Sequence, residues 1–332
     1  MPEQPIARRA GANRHLTSFA QGYTNQQFVG EFVAPTVFVT ERSGLFLQFD
    51  MSRFEQSNDT RSAGSTFGVV DYSYEGKPYR LNPHGLKYTP ALEEVEEANV
   101  LNINLGEEGA NLLMEKTMLN MEIERAEIAT NPANYATNNT AALSGTSQVS
   151  NAACDLDALV NAAKGEVNAA IAKDPNVWLL SYEAFMAVTK LDIVKDKIKY
   201  TSRQSVTTDM LAEMYGFSKV VVGSALKKTT TSSPPERVWG NTMVFCYTNP
   251  SALASGRLPF STEGGAPAVR RQQPSFAYQY MLQDRPQMTN RYWDESTDSW
   301  CWKIRSDRDT AIVGVDSAGK ANSAFLYTNV AA

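Results

Sequence analysis

The chain is poor in the residues that most enzymes rely on. Its 332 residues include two histidines, His15 and His84, and three cysteines, Cys154, Cys246 and Cys301. A Ser-His-Asp or Cys-His relay would have to use one of those histidines. His84 falls in the turn sequence Pro83-His84-Gly85 and His15 in a polar N-terminal stretch, so neither is expected to carry one. A zinc site needs about four His, Cys or acidic ligands at local spacing, and none is present. The cysteines are far apart and form no C-x-x-C pair, which points to free thiols in a reducing cytosol rather than a disulfide framework. No phosphate-binding loop and no G-x-G-x-x-G after a strand occurs. Asp307 and Asp309 alternate along the chain, but the glycine and closing glutamate of a calcium loop are missing. No cofactor, no metal and no catalytic residue is therefore expected.

Long apolar runs are absent too. Residues 1–20 lack the apolar core of a signal peptide, and no stretch reaches the length of about 18 apolar residues that a membrane span needs. A soluble protein with no membrane partner is the expectation. Charge of one sign is also scarce: Lys and Arg total 31 against 36 Asp and Glu, a net charge of −5. The densest basic groups are Arg8, Arg9 and Arg14, and Arg270-Arg271. These are too few for strong phosphate binding, so weak or no specific binding to DNA is expected.

What the chain does have is a 42% hydrophobic content, enough for packed cores. Residues 1–30 show no period and read as an extended arm. From Gly44 the pattern alternates, with Leu45, Leu47 and Phe49 on one face and Phe46, Gln48 and Asp50 on the other. A polar tip follows at 57–65, then a return run with Val69-Val70, Tyr72 and Tyr74, with Gly76, Pro78, Pro83, Gly85 and Pro90 marking the exit. This predicts a long β-hairpin over 41–90. An isolated hairpin is marginal in water, so it needs a partner surface, for which Leu45, Phe46, Leu47, Phe49, Tyr72 and Tyr74 are the candidates.

Residues 102–131 read as one long helix, ended by Asn131-Pro132. Its main stripe is Leu105, Gly109, Leu112, Leu119, Ile123 and Ala126, flanked by Met114, Met118, Met121 and Ile128. Leu112, Leu119 and Ile123 are expected to face a sheet built partly from 276–315. The acidic run Glu93-Glu94 and Glu96-Glu97 reads as a solvated face. An α/β alternation follows. It comprises a helix over 155–173, a buried strand at 177–180, helices at 182–190 and 208–215, and strands at 220–222 and 243–247. Residues 249–275 read as an irregular connection. The tail is β-rich, with Phe276, Tyr278 and Tyr280, then Trp300, Trp302 and Ile304, alternating before a last strand at Ile312-Val313.

Several segments together resemble the major capsid proteins of tailed bacteriophages with the Hong Kong 97-type (Johnson) fold. They are Asn131-Pro132-Ala133-Asn134-Tyr135, Leu143 to Gln148, Pro175 to Leu180 with Ile198-Lys199-Tyr200, and Leu211–Gly216 with Val220–Leu226. The resemblance is strongest over 92–230. It implies an α+β fold with five parts: an N-terminal arm over 1–40, an extended hairpin loop over 41–91, and a peripheral domain with a spine helix over 92–150. An axial domain over 151–272 and returning peripheral strands over 273–332 complete it.

The resemblance further implies a self-assembling structural subunit, not an enzyme. Hexamers and pentamers would enclose double-stranded DNA in a virion capsid assembled in the host bacterial cytoplasm. Expected partners are a portal protein, a separate scaffolding protein and a decoration protein. Arg8, Arg9 and Arg14 would join the hairpin residues as interface candidates. Some relatives cross-link through a hairpin lysine; Lys77 and Lys87 lie near the hairpin base instead of its tip, so cross-linking is not expected. The competing readings are an encapsulin-like compartment shell, or an unrelated α/β enzyme or adhesin.

Overall fold

The computed structural model describes residues 28–47, 76–100, 105–198, 206–230, 232–250, 257–258, 275–296, 298–316 and 318–331, with isolated positions between 56 and 67. The N-terminal part runs through α1 (Gly30–Val33), β1 (Thr36–Val39), β2 (Ser43–Leu47), β3 (Gly76–Arg80), β4 (Asn82–Tyr88) and α2 (Leu92–Val100). The long helix α3 (Leu105–Thr130) and β5 (Thr140–Ala142) follow. An α/β stretch then holds α4 (Leu156–Ile171), β6 (Val177–Ser181), α5 (Tyr182–Val188), α6 (Asp192–Ile198), α7 (Thr208–Tyr215) and β7 (Lys219–Gly223). The rest is strand: β8 (Leu226–Lys227), β9 (Glu236–Arg237), β10 (Thr242–Cys246), β11 (Arg257–Leu258), β12 (Ala277–Leu282), β13 (Gln287–Asp294), β14 (Ser299–Ile312) and β15 (Ala324–Thr328).

Two sheets organise these elements. One has five strands in the order β5-β15-β10-β6-β7. Strands β6 and β10 are buried along their whole length, which is why they read as unbroken apolar runs. Their side chains split by the period-two rule. Trp178, Leu180, Met243, Phe245, Phe325 and Tyr327 face a core capped by α4, α5 and α7. Val177, Leu179, Val244, Cys246, Ala324 and Leu326 face a second core shared with α3 and the segment around α1.

Local signals set the helix ends. Asp155 and Thr207 accept N–H bonds as N-caps of α4 and α7, and Gly216 ends α7 at φ +67°, a left-handed turn that glycine adopts without strain.

The other sheet follows the order β11-β1-β12-β14-β13, with β4 added on β14. Helix α3, about 39 Å long at ~1.5 Å per residue, spans both sheets. Its N-terminal half buries Ala110, Leu113 and Met114 against Met288, Trp302 and Ile304 of the six-stranded sheet. Its C-terminal half buries Ala126 and Ala129 in the core beneath the five-stranded sheet.

Four expectations need correction. Leu112 does not face the sheet; it is 43% exposed, while Leu113 and Met114 are buried. The buried stripe contains Met114, Thr117, Met121, Glu122 and Arg125, so polar residues occupy places that hydropathy would give to leucine. Leu119 and Ile123 do pack, half-buried, beside Phe276, Ala277 and Ile312.

The hairpin is shorter on its return side than 41–90. Residues 82–88 are a strand of the six-stranded sheet, paired with β14 from Asn82↔Arg308 to Tyr88↔Trp302. Pro83 and Gly85 suggest an exit loop, but β14 is the one described strand that pairs β4, and an edge strand tolerates proline. The acidic run lies on its own helix, α2, where Glu93, Glu94 and Glu96 are exposed.

The tail does not return wholly to the six-stranded sheet. β15 pairs antiparallel with β10 and parallel with β5, both in the five-stranded sheet. Ile312 is the end of the long strand β14 rather than part of a separate one. Most of 249–275, expected to be irregular, lies outside the described residues.

Candidate functional site

The surfaces with most to explain lie around the hairpin base and the chain's first described residues. β2 and β3 pair from Ser43↔Arg80 to Leu47↔Gly76, so the base of the predicted hairpin is a two-stranded ladder. It is anchored at one end. Tyr79 is buried and stacks on Tyr280 at 5.0 Å between ring centroids, in a small core with Val39, Leu81, Tyr278 and Val313. Arg42 reaches Asp307 at 3.2 Å, and Arg285 reaches the same carboxylate at 3.4 Å.

Leu45 is 65% exposed. Phe67 is 79% exposed, with the Arg61 guanidinium 4.0 Å from its ring centre. Phe46 and Leu47 continue β2 opposite Lys77 and Gly76. Of the remaining interface candidates, Phe49, Tyr72, Tyr74, Arg8, Arg9 and Arg14 lie outside the described residues.

A buried polar junction lies where residues 28–36 meet α3. Glu122 is fully buried. Its carboxylate accepts N–H bonds from Val29 at 3.0 Å and Gly30 at 2.8 Å, and one from Trp239 Nε1 at 2.7 Å. Burial pushes the Glu122 carboxyl above its usual range; nearby Arg125 and the three donors pull it back. Arg125 donates from Nη2 to Thr36 Oγ1 at 2.8 Å. Thr248 Oγ1 donates to the Phe32 carbonyl at 2.8 Å. One short segment is thus tied to the helix and to Thr248 just after β10, while Glu122 also ties the helix to Trp239 before β10. Sequence reading missed this junction, because a helical Glu and Arg look like solvated charges. The one available signal was their place on the Met114–Met121 side of α3.

A second charged group joins α3 to the six-stranded sheet. Arg308, also buried, forks onto Glu124 with contacts of 2.8 Å and 2.6 Å, the two-pronged geometry favoured by guanidinium and carboxylate. His84 Nδ1 lies 3.9 Å from the same Glu124. Burial and the Arg308 charge hold the imidazole below its usual pKa, opposed by Glu124 and Asp307. His84 is thus a neighbour of an ion pair in the sheet, with no serine or cysteine nucleophile bonded to it. Asp307 is taken by two arginines, and Asp309 accepts N–H bonds from Arg80 and Thr310.

The two hairpin-base lysines differ. Lys87 is bound to Asp294 at 2.8 Å, a contact that drops the Asp294 carboxyl to about 2. Lys77, on β3, is exposed. Cys154, Cys246 and Cys301 are all buried and unpaired. Burial pushes the Cys246 thiol up to about 12, away from the thiolate that nucleophilic chemistry needs. Among the described residues no group of three or more His, Cys, Asp or Glu is placed to hold a metal ion. No described helix is long and apolar enough to cross a membrane. A cavity of about 380 Å³ is lined mainly by Val149, Tyr182, Met186, Ala187 and Leu191, with Glu183 and Lys190 at its edge. Its lining is mixed, with Ser150, Glu183 and Lys190 among the apolar side chains.

Comparison with known proteins fits a part that assembles. No protein-family model matches the chain. It is 24% identical over 287 residues to the major capsid protein of Burkholderia phage BcepMu, covering 84% of this chain and 86% of that one. A crystal structure of a phage-related protein from Bordetella bronchiseptica superposes with a TM-score of 0.74 at 25% identity, over 96% of this chain and 97% of that one. The capsid protein of the myovirus XM1 gives a TM-score of 0.50 at 13% identity, over 99% of each chain; at that identity the likeness speaks for the fold alone. The expected α+β capsid fold is the observed one. The chain has the Hong Kong 97-type fold and is a structural subunit of a phage capsid.

Proposed function

We propose that copies of this chain close into an icosahedral shell of hexamers and pentamers around double-stranded DNA, and that the hairpin beginning at β2 and β3 is completed by a neighbouring copy. The observation that carries this reading is the contrast along one ladder. Tyr79 is buried, while Leu45, one position along the ladder, is exposed. Apolar side chains presented on a projecting, two-stranded element gain stability only when another surface covers them. Leu45, Phe46, Leu47, Phe49, Tyr72 and Tyr74 are the residues assigned to that contact, with Arg8, Arg9 and Arg14 docking on neighbouring subunits rather than on DNA.

The role is structural and non-enzymatic, with assembly in the cytoplasm of the host bacterium. A portal protein, a separate scaffolding protein and a decoration protein complete the set of partners. The net charge of −5 suits a shell that holds DNA with weak or no specific binding, since tight binding would hinder packaging and release. Electron microscopy of the expressed protein tests the reading. Large shells in preparations with portal and scaffold are the expected result. Small closed compartments would point to an encapsulin-like shell, and a small monodisperse species would end the shell reading.

A further inference from the structure

One face of the six-stranded sheet lies on α3 through Trp302 and Ile304. The residues that alternate with them, Lys303 and Arg305, therefore point to the other face. Tyr79 covers that face at the β12 end, where it stacks on Tyr280. Toward β4 and β13 the face is open: Lys87 and Arg305 are exposed and Lys303 is half-buried.

The open part is basic. Lys303 stands directly opposite Lys87 in the ladder between β14 and β4, and like charges in that position cost stability. Their ammonium groups lie 4.2 Å and 5.9 Å from the centre of the Tyr292 ring. Asp294 pairs with Lys87. Among the described residues no carboxylate pairs with Lys303 or Arg305. Asp307, two residues along the strand, is already shared by Arg42 and Arg285.

Helix α2 is the opposite case. Its sequence, LEEVEEANV, holds four glutamates and no cation. Glu93, Glu94 and Glu96 are exposed, and no ion pair among the described residues involves them. Glu94 accepts the Ala91 N–H at 3.3 Å, which leaves Glu93 and Glu96 as outward charges about one turn apart.

We propose that the open basic face of one subunit binds the acidic helix α2 of a second copy of this chain, with Glu93 and Glu96 set against Lys303 and Arg305. The spacings match. Residues i and i+2 of a strand lie about 6.8 Å apart, and residues i and i+3 of a helix about 5–6 Å. The contact offsets the repulsion between Lys87 and Lys303 and the crowding of negative charge on α2, and neither element has to rearrange. This contact rests on the shell reading, to which it adds a charged surface distinct from the apolar one at Leu45.

The test uses two full-length variants, Lys303→Glu/Arg305→Glu and Glu93→Lys/Glu96→Lys, with sedimentation of particles as the readout. Each variant alone sets like charges against each other and should cut the associated fraction by about tenfold or more. In an equal mixture, every contact between unlike chains again joins opposite charges, and association should return. Arg305→Glu alone repeats the first arm at an exposed position, without touching the half-buried Lys303. Variants that assemble like the native chain would overturn the contact and leave the shell reading standing. So would a mixture that does not recover, or a loss of stability in the unassembled variant subunits, since the charges would then act within one chain. Duplex DNA binding by the native chain that Lys303→Glu/Arg305→Glu abolishes, with no recovery of particles on mixing, would assign the face to nucleic acid instead. A native chain that forms no particles at all would overturn the shell reading and this contact with it.

Discussion

The five-stranded sheet and the hairpin base are both β-structure, yet they settle their surfaces in opposite ways. β6 and β10 bury both faces within the chain, one against α4, α5 and α7 and the other against α3 and α1. β2 and β3 are anchored on one side, by Tyr79 in its small core and by the Arg80 N–H on Asp309, while Leu45 on the same ladder is 65% exposed. The first region therefore carries the stability of the free subunit, and the second holds apolar surface in reserve for a partner. Substitutions in the two regions should differ in kind: one set unfolds the chain, the other leaves it folded and unable to associate.

The largest effect is expected at Trp178, fully buried among Tyr215, Phe217 and Phe245. Trp178→Ala should cost about 3–5 kcal/mol in chemical denaturation, and a cost below about 1 kcal/mol would break the claim that this lobe holds the subunit together. Next comes the helix that joins the two regions. Leu113→Ala should cost about 2–5 kcal/mol, whereas Leu112→Asp, one residue away on the exposed side, should stay within about 0.5 kcal/mol. The reverse order would mean that α3 is rotated from its place here.

A smaller, pH-dependent effect is expected at Glu122. Burial raises its folded pKa above the unfolded value, so the folded form binds the proton more tightly. Its contribution to stability is present in acid and is lost as pH rises from the ordinary carboxylate range through the raised pKa. Denaturation midpoints across that window should fall for the native chain and flatten for Glu122→Gln. The smallest effect belongs to the hairpin: Leu45→Asp should change subunit stability by no more than about 0.5 kcal/mol while abolishing association, read as loss of particles in sedimentation. A comparable loss of stability would show that Leu45 serves the chain's own core.

Much of the self-contained lobe was legible in the sequence, for a physical reason. Strands buried on both faces show as apolar runs, as at 177–180, and a helix with Thr207 before it and Gly216 after it announces both of its ends. The long helix was legible in extent but not in orientation. Leu112 is more hydrophobic than Thr117, Glu122 or Arg125, yet those three face inward: Thr117 donates to the Leu113 carbonyl one turn back, and partners distant in sequence satisfy Glu122 and Arg125. Nothing near Glu122 in sequence points to Val29 or Trp239. β4 was hidden by Pro83 and Gly85; the place of β15 in the five-stranded sheet depends on pairing with β10 some eighty residues earlier. Of the candidate site, the exposed Leu45 on a hairpin strand was legible from alternation, and the buried junction at Glu122 was not.

The most direct measurement is a cryo-EM map of assembled particles at side-chain resolution, read at β2 and β3. The account predicts that this ladder lies across a neighbouring copy, with Leu45 buried against it and Tyr79 still stacked on Tyr280 of its own chain. A ladder folded back on its own subunit, or one left in solvent with Leu45 uncovered, would contradict it.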